Sequence, residues 1–319
     1  MIQFLITRGH EYTHAPLQRI PGAPRIGIMG YDRLIRSRWL PRASYIFTDI
    51  VRLSHGDLEH AGRLYLELKA AGLRVFNNPA IVKTRYALLR ALHVAGLNDF
   101  NAYRMDELDR RVRYPVFLRN EHGHSGPLTD LLPTSDALRQ AIDSAIAGGT
   151  PAAHLLAIEY AGEPVAPGLY RKLAAFRLGD RIVQHVSTHD TGWLMKNGTV
   201  GCGTEEIYQE ENGFIKANAF AEKLRKVFET ANIEYGRADF GFYQGRMQIF
   251  EINTNPTITP PREHPVAVRR ESRLIAWDNF VVGLRALDSP GGWPVRIVDG
   301  ALQRKRPKRN LFFRTRPVA

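Results

Sequence analysis

EYGRADFGFYQGRMQIFEINTNPT, residues 234–257, decides how this chain is read. It has the pattern of two strands joined at Tyr243-Gln244-Gly245. Ala238, Phe240, Phe242, Phe250 and Ile252 occupy even positions and are expected to face a core, while Arg237, Asp239, Glu251 and Asn253 occupy odd ones. Side chains alternate between the faces of a strand, so the hairpin loop decides whether the two carboxylates share a surface. A two-residue loop would separate them. The core pattern therefore predicts a three-residue loop with Gly245 in the left-handed conformation. Two carboxylates, a carboxamide and a guanidinium then lie on one polar face.

Two hard anionic ligands with a neutral oxygen suit Mg²⁺, or Mn²⁺ in its place, with waters and substrate phosphates completing the shell. Arg237 beside them is placed to contact a phosphate or a developing oxyanion. The alternative is a surface hairpin with ordinary ion pairs, which contribute little. EINTNP adds an Asn-rich turn whose oxygens point toward the same place.

At 319 residues the chain is long enough for two or three domains. Its 44% hydrophobic and 10% aromatic content excludes wholesale disorder. One cysteine, Cys202, excludes an intramolecular disulfide framework and fits a reducing, cytoplasmic setting. The first strand, MIQFLITRG, lacks a charged leader, and no run approaches ~18–20 apolar residues, so no membrane span is expected. The net charge is +12, of which seven positive charges lie from Arg304 onward, leaving +5 on the rest. The tail RKRPKR is open to a nucleic-acid, membrane-surface or acidic partner, with a solvated tail as the favoured reading. Phe312 and Phe313 also allow it to dock on the protein itself. The remaining excess of positive charge suits anionic substrates.

Strand and helix signals alternate at the start: Ile2–Thr7, a Gly/Pro-rich stretch, Ser44–Asp49, a helix from about Asp57 that stops at Gly72, then Leu73–Phe76. This predicts an α/β layer over residues 1–78. A smaller unit over 79–154 contains helices Thr84–Ala95 and Ala137–Ala147, strand Tyr114–Arg119 and the loop EHGHSG. Over 155–290 the reading gives strands Leu155–Glu159, Arg171–Phe176 and Arg181–Val186, helix Asn218–Ala231, the hairpin, and helix Ser272–Leu287. Residues 291–319 form the basic tail. His10-Glu11-Tyr12-Thr13-His14 matches the zinc-protease pattern, which needs a helix to bring its histidines together. Pro16 follows closely, so a loop near a carboxylate pocket is the preferred reading.

Arg-x-Asp, a short hairpin and Glu-x-Asn-x-Asn-Pro together resemble the metal-binding end of ATP-grasp ligases, the superfamily of D-alanine–D-alanine ligase, glutathione synthetase and ribosomal-protein glutamate ligases. The resemblance covers roughly half the chain, from about Phe76 to Pro256. It implies a Rossmann-like N-terminal domain, a small lid and a catalytic domain with ATP between the last two. Asp239, Glu251 and Asn253 would hold Mg²⁺, Arg237 would steady the reacting centre and Asn255 would lie near the phosphates. The family's two phosphate-binding lysines correspond to Arg85 and Arg119, a departure, because a guanidinium fork does not reproduce a point charge. Gly123, Ser125 and Gly126 would cover the phosphates with backbone N–H groups. Glu159 and Tyr160 match the segment whose backbone meets adenine, with Glu163 as the ribose acid. Arg171 and Lys172 are adjacent, so only one faces the cleft. The loop His189–Gly201, with Trp193 and Lys196, is expected to cover substrate.

The implied reaction activates a carboxylate as an acylphosphate and joins it to an amine, releasing ADP and phosphate. The amine and acid would be small molecules or peptides, and a homo-oligomer is compatible with the sequence. An ATP-grasp kinase and a non-catalytic nucleotide-binding module with a basic interaction tail are the alternatives.

Overall fold

The computed structural model describes residues 1–109, 111–123, 126–195 and 198–298. Ser125, Lys196 and the RKRPKR tail lie outside them. β1 (Ile2–Ile6) is five consecutive buried residues, the pattern of a strand covered on both faces. The chain continues through β2 (Ile26–Gly30), α1 (Tyr31–Arg36), β3 (Trp39–Leu40), β4 (Ser44–Phe47), α2 (His55–Ala70) and β5 (Val75–Phe76). Strands pair in the order β2-β1-β4-β5, all parallel. β2 sits in the Gly/Pro-rich stretch for which no strand was expected. A Cβ at Gly27 would meet the flexible end of the Gln3 side chain on the paired strand. α2 begins where Ser54 Oγ accepts the Asp57 N–H at 3.2 Å and stops at Gly72, whose φ is +74°, the stop expected from the sequence.

Next come α3 (Arg85–Val94), β6 (Ala102–Tyr103), β7 (Val116–Asn120), α4 (Ser135–Ala147) and β8 (Leu155–Glu159). The three strands form an antiparallel sheet in the order β6-β8-β7. α4 lays Leu138 against Val116 and Leu118 of β7.

The third part comprises β9 (Tyr170–Leu178), β10 (Arg181–Asp190), α5 (Glu205–Ala217), α6 (Ala221–Ala231), β11 (Tyr235–Tyr243), β12 (Arg246–Asn253), α7 (Ala267–Leu287) and β13 (Val295–Arg296). Its sheet is antiparallel, β10-β9-β11-β12, and β13 pairs with β3. α5 was not anticipated. Asn218, read as a helix start, is instead the left-handed end of α5 at φ +46°, and α6 begins after it. α7 starts five residues earlier than its apolar pattern suggested. β10 runs through His189, which is therefore strand and not loop. One sheet face packs on α3 and α6 through Leu88, Leu92, Leu224, Phe228, Phe240 and Ile249; truncating a buried Phe such as Phe240 to Ala costs about 3–5 kcal/mol. Part of the other face meets β1 and α7 through Phe4, Phe176, Tyr235 and Phe280.

Asn77 joins the two sheets. Fully buried at φ +61°, it donates through Nδ2 to the carbonyls of Phe47 (3.0 Å) and Tyr235 (2.8 Å). Its Oδ1 accepts from Glu234 N–H and Tyr235 N–H at 2.8 and 2.9 Å. This one side chain sets where β11 emerges relative to the parallel sheet. No helix among the described residues is long and apolar enough to cross a membrane.

Candidate active site

The hairpin that carries the site is built differently from its expected form. Tyr243 pairs directly with Arg246, so the loop is the two residues Gln244 and Gly245, at φ +51° and +72°, the geometry of a type I′ turn. A three-residue loop is not present. Register is restored by a β-bulge: Phe240 faces Ile249, yet Asp239 faces Glu251. Phe250 is the extra residue. It therefore leaves the core face predicted for it and packs with Phe100 at a ring separation of 6.5 Å. Gly241 lies beneath, where a Cβ would stand 2.9 Å from the Phe250 ring. The bulge delivers the predicted outcome by another route, with Asp239 opposite Glu251 and Arg237 opposite Asn253.

Four cations ring the two carboxylates. Arg237 Nε donates to Asp239 Oδ1 at 2.9 Å, and Lys172 Nζ lies 3.0 Å from Asp239 Oδ2. Arg85 and Arg119 each place Nη2 on Glu251 Oε2, at 3.2 and 3.3 Å. Asn253 Nδ2 donates to Glu251 Oε1 at 3.3 Å, leaving its amide oxygen available. Burial opposes ionisation of Glu251, but the Arg119, Arg85 and Lys172 charges and the Asn253 hydrogen bond outweigh it, bringing its pKa down to about 2. Glu251 is thus anionic, Asp239 lies opposite it, and the cations that hold the two among the described residues are side chains. Two carboxylates and one amide oxygen on neighbouring strand positions fit a hard divalent ion that keeps open positions for phosphate.

The remaining predicted residues divide clearly. Lys172, not Arg171, faces the cleft; the Arg171 guanidinium turns to Glu210 and the Phe214 ring on α5. Arg171 still borders the smaller cavity, with its guanidinium held by Glu210. Arg85 also donates to the carbonyls of Asn120, Glu121 and Gly123 at 3.1, 2.6 and 3.1 Å, so it ties the glycine-rich loop to the metal-type pair. Gly126 has φ +105°, a conformation that favours glycine. The Glu159 carboxylate is turned away into the lid, accepting from Asn101 N–H, Tyr103 O–H and Arg113; only its backbone can serve a ligand. Tyr160 packs edge-on to Trp193 at 5.6 Å, and Trp193 tilts against Phe117 at 5.3 Å. Glu163 is exposed and accepts the Gln244 N–H at 3.0 Å, stabilising the hairpin turn. Asn255 Oδ1 accepts from Thr13 Oγ1 at 2.9 Å.

The His-Glu-x-x-His segment is two short 3₁₀ turns, Glu11–Thr13 and Ala15–Arg19. His14 is buried with Nε2 2.8 Å from the Tyr235 hydroxyl, whereas His10 sits beside Thr7 and Asp49. The two rings do not converge on one point, so the zinc-protease geometry is not formed.

Two cavities meet at the carboxylate pair. One, of about 260 Å³, is walled by Phe117, Tyr160, Trp193, Phe250, Arg119 and Lys172. The other, of about 720 Å³, runs from Asp239, Glu251 and Asn255 toward His10, Asp49 and Arg52 on one side and His189, Arg262 and Arg269 on the other. This second arm was missed by sequence reading, although PREHPVAVRRESR places four arginines within twelve residues there.

No protein-family model and no curated protein sequence matches the chain. Solved structures do. D-alanine–D-alanine ligase from Bacillus anthracis complexed with ATP is 12% identical, with 90% of this chain and 98% of that one covered at a TM-score of 0.50. The ATP-grasp ligase PsnB complexed with a minimal precursor is also 12% identical, covering 90% and 99% at a TM-score of 0.51. The chain has the ATP-grasp fold, as its Arg-x-Asp and Glu-x-Asn-x-Asn-Pro segments led us to expect. At this identity the likeness establishes architecture, and the chemistry must be argued from the side chains.

Proposed function

We propose that this protein is an ATP-dependent carboxylate–amine ligase. The observation that carries the reading is the Asp239–Glu251 pair, placed where an aromatic slot opens into a larger polar cavity and ringed by Arg85, Arg119, Lys172 and Arg237. The slot suits a purine, with Trp193, Phe117 and Phe250 offering ring faces or edges and the backbone of Glu159–Tyr160 offering hydrogen-bonding groups. The triphosphate then reaches the cations. The domain division at 78, 154 and 290 belongs to this reading, with the β6-β8-β7 sheet as lid.

Asp239, Glu251 and Asn253 would hold Mg²⁺, which when bound neutralises charge on the phosphates. Arg85 and Arg119 bind phosphate oxygens and give up Glu251 to do so. Lys172 and Arg237 likewise exchange Asp239 for substrate oxygens. A carboxylate oxygen of the acid attacks the terminal phosphorus, the bond to the ADP oxygen breaks, and ADP leaves. The amine then attacks the acyl carbon, loses a proton and expels inorganic phosphate. Arg237 donates to the oxyanion formed in that second step, and removing one such donor typically lowers the rate ~10²–10³-fold. Asn255, fixed by Thr13, holds the turn that carries this edge of the cavity. Two solved structures, at TM-scores of 0.50 and 0.51, are ligases, one described with ATP and one with a precursor, which supports the reading.

The test supplies Mg-ATP with pooled acids and amines and identifies products by mass spectrometry. An amide formed with one ADP and one phosphate per bond is expected. A stable phosphorylated product would make the protein a kinase, and tight ATP binding without turnover a binding module.

A further inference from the structure

The arm of the larger cavity beyond His185 takes no part in the chemistry above, yet Arg262, Arg269 and Arg273 all line it. Arg269 is buried and its guanidinium pairs with Glu211, also buried. It donates as well to the Ser187 carbonyl at 2.5 Å, while its Nε is buried without any partner. Arg273 donates to the carbonyls of Arg262 and Glu263, at 2.6 and 2.8 Å. Neither Arg273 nor Arg262 has a carboxylate within ion-pair distance among the described residues. Of the three guanidiniums, Arg269 alone is paired with an acid among the described residues.

The placement of these charges is itself unfavourable. α7 opens with no acid in its first turn, and Arg269 and Arg270 stand at the positive end of its dipole. Their neighbours do not compensate. His189 and His264 line the same arm; burial and then Arg269 depress His189 to about 3, and burial with Arg273 and Arg269 also lowers His264. Neutral imidazoles and a helix N-terminus beside Arg269, Arg273 and Arg262 together describe a place suited to an anion.

Distance connects the arm to the reaction. Asp239 pairs with Ala174, and Ala174 pairs with His185, so His185 lies two strand spacings away, ~10 Å from Asp239. Ser187 and its Arg269 contact follow two residues along β10. A carboxylate reacting beside Asp239 therefore leaves room for several bonds before the guanidiniums. A three-methylene chain separates two carboxyl carbons by about 5 Å.

We propose that the acid activated by this protein carries a second anionic group, a carboxylate or a phosphate-like group, seated on Arg269, Arg273 and Arg262. The proposal rests on the ligase reading for the word "activated", but the anion subsite itself is testable without turnover. Calorimetry on the nucleotide-free protein with glutarate, 4-phosphonobutyrate and valerate compares acids of similar length with and without the second charge. Glutarate or the phosphonate is expected to bind at least roughly tenfold tighter than valerate, and which of the two binds tighter identifies the second group. Arg273→Gln and Arg262→Gln, at the rim, are expected to weaken that binding roughly 10- to 100-fold while leaving ATP affinity unchanged. Arg269 is kept, because its loss would strand Glu211. In parallel, Mg-ATP with hydroxylamine traps any acylphosphate as a hydroxamate. Equal binding of valerate and glutarate, or variants that bind like the wild type, overturns the subsite. Charge-selective binding with no hydroxamate from any acid overturns the ligase reading and retains the subsite.

Discussion

Replacing Glu251 by Gln removes one negative charge and preserves side-chain shape. That charge lies 3.2 Å from Arg85 and 3.3 Å from Arg119, whose side chains are 11% and 17% exposed. Taking the partner from such an enclosed pair costs about 3 kcal/mol, so the empty variant should melt several degrees below the wild type. Nucleotide reverses the sign. With Glu251 about 6 Å from the phosphates and an effective dielectric constant of about 20, its repulsion of one phosphate charge is about 3 kcal/mol. Mg-free ATP should then bind the variant roughly 10- to 100-fold more tightly and restore its melting temperature, because the triphosphate replaces the missing partner of both arginines. Magnesium should no longer help, and phosphate release should fall by about 10³ or more. Thermal melts and calorimetry in EDTA, followed by phosphate-release assays with Mg²⁺, read each part. Unchanged affinity for Mg-free ATP, or wild-type turnover, would refute the placement of phosphates and metal at this pair.

Lys172→Ala should lower phosphate release by about 10²-fold, whereas Arg171→Ala should leave ATP affinity within about twofold, since a side chain facing Glu210 and Phe214 loses no ligand contact; calorimetry beside turnover separates the two neighbours. Gly241→Ala should push the Phe250 ring into the aromatic slot and raise the ATP dissociation constant about fivefold or more with the fold intact; unaltered affinity would show that Phe250 does not wall the nucleotide site. His14 is held down at about 3 by burial, a hydrogen bond with Asn255 opposing, so the unfolded chain takes up a proton near pH 6.5 that the native protein refuses until about pH 3. Stability should therefore decline by about 1.4 kcal/mol per pH unit from this residue as pH falls through that window, and denaturant midpoints of wild type and His14→Gln should converge on acidification; parallel curves would contradict the buried neutral state.

Much of the site was legible because its chemistry is local. Alternation along a strand is a property of backbone geometry, so Arg237, Asp239, Glu251 and Asn253 could be assigned one face before any tertiary contact was known. For the same reason only one of Arg171 and Lys172 could enter the cleft, although nothing in their order said which. The loop length was misread because two devices bring Asp239 opposite Glu251, a longer turn or a bulge. Both satisfy the same pattern of apolar and polar residues. Packing chose between them: Phe250 has a cavity wall to fill above Gly241, and Gln244-Gly245 is a favourable two-residue turn whose N–H Glu163 accepts.

Contacts between distant segments were beyond the reach of periodicity. Arg85 and Arg119 meet Glu251 across 166 and 132 residues, and Asn77 stitches β4 to β11 across 30 and 158. Nothing in their neighbourhoods announces these partners. By itself the sequence determined a hairpin bearing paired carboxylates within an α/β chain, since those follow from residue order and the twofold repeat of a strand. Only the tertiary structure decided which cations answer the carboxylates, which of two adjacent basic residues turns inward, and that a second cationic arm adjoins the site. Those depend on how sheets and helices far apart in the chain come to rest against one another.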